Sequence, residues 1–442
     1  MTGRLRHFGS AVAPAVGWCH QHSGRVLGML GVLAMVGLLT WLGCRYLLAQ
    51  HHFRAAEQAL AEHNFTAAHD HLSRYLELWP ASAEKRLLAA RVARRAAAYD
   101  EAERYLNELQ QRQGRMPELA LERLLLQVQQ GGLEQGVAED LWSLVDKGHE
   151  EAPLILEALT RGYLYTYRLE DALRCLDRWH ELQPQEVQAL VWRGWIWQAK
   201  HEPLKALADY RRAVRRDPKH FQARLYLAQT LLATGQLEEA ADQLEYLRQR
   251  QPANSTVLLL LSYCRRHLGQ TDEACRLLDV VLAEQPDNSS ALRERGVIAL
   301  SQGELTQAEA WLRRAVHADP YDQEAAYQLG QCLMRLDRKE EARSYLDQAD
   351  RIRGDVERLH RLSAQIAENP SDALLRCQAG IICLRNGQIE EGLRWLSGAL
   401  QLDPNCQPAR QALADYYQRI GKTDLAELYG RSVGKGPSQL QP

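Results

Sequence analysis

VQALVWRGWIWQAKHEPLKALADYRRAVRRDP, residues 187–218, decides how the chain is read. Gly194, Ala206 and Ala213 are small, Trp197 and Tyr210 are bulky, and the stretch closes on Pro218. Small side chains let two helices approach closely, and large ones fill the space between helix pairs. A proline disfavours helix in the residue before it, here Asp217, so the second helix ends there. The same features recur on both sides at a spacing of 34 residues: Pro184, Pro218, Pro252, Pro286 and Pro320 form one comb, and Ala172, Ala206, Ala240, Ala274, Ala308 and Ala342 a second. A third runs through Gly194, Ala228, Ser262, Gly296 and Gly330, always a small residue. Three interlocked combs with this period predict a stack of helix–turn–helix units, which needs no single central core.

Outward from this stretch the period weakens. Ala56, Ala68 and Pro80 fit the combs, as do Ala90 and Ala102, whereas residues 117–152 are degenerate and read as two helices, 118–130 and 136–147, split by Gly131-Gly132. Gly235, Gly269, Gly303, Gly387 and Gly421 mark the turn inside each pair. After Ala349 the comb slips, because the proline after Pro320 is Pro370, 50 residues on. The surplus, 355–368, reads as one amphipathic helix with Leu359, Leu362 and Ile366 on one face. The expected organisation is a basic segment (1–25), a membrane helix (26–44), weaker repeats (49–152), a regular array (153–354), an inserted helix (355–372), two closing pairs (373–430) and a polar, disordered tail (431–442).

Residues 26–44, VLGMLGVLAMVGLLTWLGC, carry no charge and lie between Arg25 and Arg45. A helix of that length spans a hydrocarbon core of roughly 30 Å. An uncleaved anchor is expected. A cleaved signal peptide would have a shorter apolar core and a small-residue cleavage site, and a lipoprotein site before Cys44 would find Trp41 where such motifs prefer an aliphatic residue. Arg4, Arg6 and Arg25 outweigh Arg45 and Arg54, which predicts a cytoplasmic N-terminus and repeats on the other side. No Gly or Pro lies between Arg45 and Asn64, so the anchor helix is expected to run into the first repeat helix without a flexible stalk.

The formal net charge is −2, from 54 basic and 56 acidic residues, which gives no whole-protein footprint for nucleic acid. Nine cysteines are scattered with no CxxC; Cys264 and Cys275 could face each other across one helix pair, but no disulfide is expected there. GxSxG, HExxH and P-loop motifs are missing, so no enzyme activity, cofactor or metal is expected. Five histidines, His51, His52, His63, His69 and His71, follow the apolar stretch. They read as solvated positions, with a metal or haem site as the sharper alternative.

The pattern resembles the tetratricopeptide repeat, over about 49–430. The resemblance implies an all-α, right-handed α-solenoid whose concave groove is lined by the first helix of each pair and engages proteins or peptides. On that geometry Tyr163 and Trp197 are packing residues, while Tyr165 and Trp195 point into the groove beside Glu157, Arg161, Gln198, Gln229, Tyr263 and Arg266. Rigid aromatics beside arginine are favoured anchors for protein partners. The Lys/Asn/Arg clamp of chaperone-binding relatives and the asparagine ladder of glycosyltransferase-linked arrays are both missing. The expected function is a membrane-anchored scaffold of a bacterial envelope, with protein or peptide partners and no nucleic acid or small molecule. An accessory role in cytochrome or haem assembly, or in polysaccharide or protein export, is the alternative.

Overall fold

The computed structural model describes residues 13–430 apart from 62, 80, 81, 115, 116, 134 and 135, with backbone alone over 13–31. Pro80, most of the basic 1–25 segment's first half and the 431–442 tail therefore lie outside the described residues. Every described element is a helix. The chain divides into two compact units, Met1–Gln127 and Val128–Pro442.

In the first unit one helix runs unbroken from Ala13 to Ala61. From Val32 onward it contains a stretch long and apolar enough to cross a membrane. Its last turns pack against the Phe65–Leu78 helix, which Asn64 caps by accepting from the Ala67 amide at 3.1 Å. The Ala83–Arg95 and Tyr99–Gln113 helices follow, and Ala56, Ala68, Leu72, Ala90, Ala102 and Leu106 form the core between them. The alanines of the weak combs are thus buried contact points.

Among the described residues, the second unit contains eight helix pairs after the Val137–Asp146 helix. The first is Ala152–Tyr165 with Leu169–Leu182, the second Val187–Ala199 with Pro203–Arg216, and the third Phe221–Ala233 with Leu237–Arg250. Ser255–His267 with Thr271–Glu284 and Ser289–Gln302 with Leu305–Ala318 continue the series. The sixth pair is Gln323–Arg335 with Lys339–Glu368, the seventh Ala373–Arg385 with Ile389–Leu402, and the eighth Gln407–Arg419 with Thr423–Gly430.

Each comb has a physical cause. The alanine comb from Ala172 to Ala342 is fully buried where paired helices cross. The glycine comb sits under the bulky residue of the partner helix: a Cβ on Gly194 would stand 2.6 Å from the Tyr210 ring, and on Gly296 it would stand 2.6 Å from Leu312. The residue two past each proline caps the next helix. Asn254, Asn288 and Asp322 accept from the amides of Val257, Ala291 and Ala325 at 3.1, 3.0 and 3.0 Å. The turn comb is a left-handed position, which glycine adopts without steric cost. Gly235, Gly269, Gly303, Gly387 and Gly421 hold it, but Tyr167, His201 and Asp337 hold it too, with φ of 56°, 58° and 58°.

The surplus after Ala349 is not a separate inserted helix. It extends the second helix of the sixth pair, which is continuous from Lys339 to Glu368. Gly354, which replaces the expected proline, keeps its amide and offers no capping side chain, so nothing stops the helix there. Leu359, Leu362 and Ile366 pack with Ala379, Cys383 and Trp395 of the seventh pair. This extension also brings distant pairs together. Tyr167 in the first pair's turn packs on Trp395, and His201 in the second pair's turn packs on His360, with ring centroids 5.2 and 5.4 Å apart. Within the second unit, therefore, the seventh pair returns to the first.

Candidate functional site

Arg161, Trp195, Gln229 and Tyr263 occupy equivalent positions on the first helices of four successive pairs. Trp195 and Tyr263 are each about a third exposed, at 37% and 36%, enough ring for a partner to cover. Arg161 and Gln229 are half-buried between them. Tyr263 on this face, and Trp192 beside it, are held by neighbouring arginines. The Arg161 guanidinium lies 5.2 Å from the Trp192 ring centre and pairs with Glu157 at 3.5 Å. Tyr263 packs on His267 at 4.2 Å and under Arg266 at 5.1 Å, and Arg266 donates from Nε to Glu294 of the next pair at 3.0 Å. Burial and the Arg266 charge hold the His267 imidazole below its ordinary value, so its neutral form is favoured beside these cations.

Two residues read as groove-facing are committed elsewhere. Glu157 is buried, at 1% exposure, as the local counter-ion of Arg161. Gln198 accepts from the Tyr210 hydroxyl at 2.7 Å and donates to Thr230 at 2.8 Å, so it joins the second and third pairs internally. Tyr165 is half-buried: its ring would stand 2.7 Å from a Cβ on Gly131, and Arg394 of the seventh pair stands 6.0 Å from its centre. Tyr163 is buried as a packing residue, and Trp197 is half-buried under Lys205 at 4.7 Å. Sequence reading missed the role of Arg394, because its approach to Tyr165 depends on the return of the seventh pair to the first.

The histidines after the apolar stretch have separate local partners. His52 and His71 share a hydrogen bond of 3.1 Å between their Nδ1 atoms, and His69 pairs with Glu101. Burial first, and then the neighbouring His71 and Arg74, lowers the His52 pKa. No group of three or more metal-ligating side chains lies together among the described residues. Cys264 and Cys275 are both free thiols.

At the base of the first unit, Arg45 donates to the Leu78 and Glu77 carbonyls at 3.1 and 3.2 Å and lies 4.8 Å from the Trp41 ring centre. Tyr46 meets Trp79 edge-on at 5.1 Å. Arginine, tryptophan and tyrosine thus gather where the apolar stretch gives way to the packed repeats.

Comparison with known proteins agrees with this architecture. Residues 198–255, 227–287, 259–323 and 299–366 match tetratricopeptide-repeat families. The chain is similar to tetratricopeptide repeat protein 14 of Mus musculus, at 34% identity over 105 residues. That match covers 23% of this chain and only 14% of the mouse protein. Among solved structures, pilF of Pseudomonas aeruginosa is similar over 46% of this chain and 93% of its own, at 20% identity and a TM-score of 0.40. The human IFIT1 dimer with m7Gppp-AAAA is similar over 80% of this chain and 89% of its own, at 17% identity and a TM-score of 0.39. Residues 198–366 match tetratricopeptide-repeat families and further helix pairs continue on both sides among the described residues, so the fold is an all-α solenoid with tetratricopeptide-type repeats at its centre, a scaffold suited to protein–protein interaction.

Proposed function

We propose that the protein is a single-pass, membrane-anchored scaffold of a bacterial cell envelope, with a cytoplasmic N-terminus and an extracytoplasmic array that holds a protein or peptide on its first-helix face. The observation that carries the reading is the unbroken helix from Ala13 to Ala61. Its exposed apolar part, including Leu33, Val36, Leu39 and Trp41, continues without a hinge into Ala49, Ala56 and Ala59, which are buried in the repeats. A flexible linker would let a tethered domain sample many orientations, whereas a continuous helix fixes the repeats at the membrane surface. The cluster of Trp41, Arg45, Tyr46 and Trp79 suits the interface, where amphipathic rings and arginine settle at headgroup level.

The partner surface is the column from Arg161 to Tyr263. Its Tyr263 ring is restrained by Arg266 and His267 before binding, so little entropy of that side chain is lost on docking. Cross-linking in intact cells, followed by purification of the full-length protein, tests the reading. The expected result is a protein partner whose yield falls in Trp195→Ala and Tyr263→Ala, while membrane extraction still requires detergent. A partner set unchanged by both substitutions would remove the column from the proposal. Release by carbonate washing would remove the anchor.

A further inference from the structure

Two arginines are buried among the described residues. Arg94 meets the equally buried Glu122, Nε to Oε2 at 3.1 Å, as a charge withdrawn from water requires. Arg376 is 5% exposed and meets no carboxylate. It donates from Nε to the Pro370 carbonyl at 3.1 Å, and from Nη2 to the Thr166 and Pro370 carbonyls at 2.7 Å each. Its Cζ lies 5.7 Å from the Trp395 ring centre. Carbonyl dipoles accept three donor bonds and leave the charge unneutralised, and Nη1 lies beside Gly398, 3.6 Å from where a Cβ would stand.

Arg376, Gly398 and Arg168 line one open cavity of ≈ 580 Å³, together with Gly131, Leu133 and Leu402. The acid on its wall, Asp171, is already paired with Arg168 at 2.6 Å and with Arg174. The wall therefore carries an excess positive charge. Burial, and then Arg168, depress the Arg376 pKa, so the cation is held there against its own desolvation. A bound anion supplies what is missing, because guanidinium and oxyanion form strong, directional, charge-assisted hydrogen bonds.

We propose that this cavity binds a small molecule through an oxyanion, carboxylate or phosphate, held between Arg376 and Arg168, with Leu133 and Leu402 against its apolar part. Arg168 lies in the turn of the first pair and Arg376 in the seventh, so the ligand bridges these two pairs and strengthens the contact between them. This site is separate from the first-helix column and stands whether or not the scaffold reading does.

The test uses the full-length protein in detergent, titrated calorimetrically with inorganic phosphate in one arm and propionate in the other, at constant ionic strength set with chloride. Arg168→Gln changes a half-exposed residue, and Gly398→Leu fills the cavity from its wall; circular dichroism confirms that both are folded. The expected result is saturable binding of at least one anion, weakened about tenfold or more in either variant. Slower amide exchange at 163–169 and 373–385 should accompany it. The arm that saturates identifies the anion class. No saturable binding in either arm, or binding unchanged in both variants, overturns the proposal.

Discussion

Tyr167 and Trp395 join the first and seventh pairs of the second unit, with ring centroids 5.2 Å apart and planes inclined at 54°. Tyr167 reaches this contact from a left-handed backbone position, φ 56°, that glycine fills at five later turns. A bulky residue there carries backbone strain, which persists where the surroundings hold it in place. Trp395 supplies that hold together with Leu362 and Ile366. Trp395→Ala is therefore expected to cost about 3 kcal/mol locally. The loss should be confined, because each repeat contacts mainly its neighbours. Hydrogen exchange should speed up across 357–402 and stay slow across 221–284.

Asp337 holds the same left-handed position, φ 58°, without any ring contact to repay it. Its exposed pairing with Lys339, 3.2 Å, contributes little. Asp337→Gly is expected to raise stability by roughly 0.5–1 kcal/mol, since glycine adopts this conformation freely. Thermal denaturation of this variant beside Gly303→Asp, at the same position of an earlier turn, should show shifts of opposite sign.

Repetition explains what was legible in the sequence. Positions decided inside one pair, such as Ala206, Gly296 and Pro252, repeat because the same crossing recurs, and so spacing alone reveals them. The cap series at Asn254, Asn288 and Asp322 repeats too, but its chemistry changes from amide to carboxylate and it passes without notice. Contacts between pairs far apart in the chain do not repeat. Nothing local says that His360 meets His201 or that Arg394 approaches Tyr165. The extended Lys339–Glu368 helix was visible as a surplus of residues, and its join was not, because a helix continues wherever no cap or proline stops it. The column from Arg161 to Tyr263 was read through the family resemblance, which could not foresee that Glu157 and Gln198 would be spent on internal bonds.

Gly296 tests the packing rule behind the small-residue comb. A Cβ there would stand 2.6 Å from Leu312 Cγ, and Leu312 is itself fully buried. Gly296→Leu is expected to destabilise by about 2–3 kcal/mol, by overpacking. Leu312→Ala alone leaves a cavity and costs a similar amount. The double substitution exchanges the large and small partners across one crossing, so it should cost less than the two singles added. Urea denaturation of the four proteins in a cycle measures that coupling, and strict additivity would mean that Gly296 is small for another reason.

Glu245 tests the charge network on the second helices. The Arg248 side chain bonds it from Nε at 3.0 Å, and Arg265 of the next helix stands 3.9 Å away. The Arg248 hydrogen bond, opposed by partial burial and assisted by the charges of Arg248 and Arg265, holds the Glu245 carboxyl below its ordinary value of 4.5. A carboxyl whose folded pKa is depressed stabilises the fold above its unfolded pKa, and loses that contribution as pH falls through the folded value. Wild type should accordingly be more stable than Glu245→Gln at neutral pH. The difference should shrink through the acid range below 4.5 and vanish once the folded carboxyl is protonated. Raising the salt concentration at neutral pH should also narrow it, because the pair is partly exposed and screened. Urea midpoints of the two proteins across that range, at low and high salt, measure the effect. A difference constant in pH would assign it to packing of the glutamate stem and not to its charge.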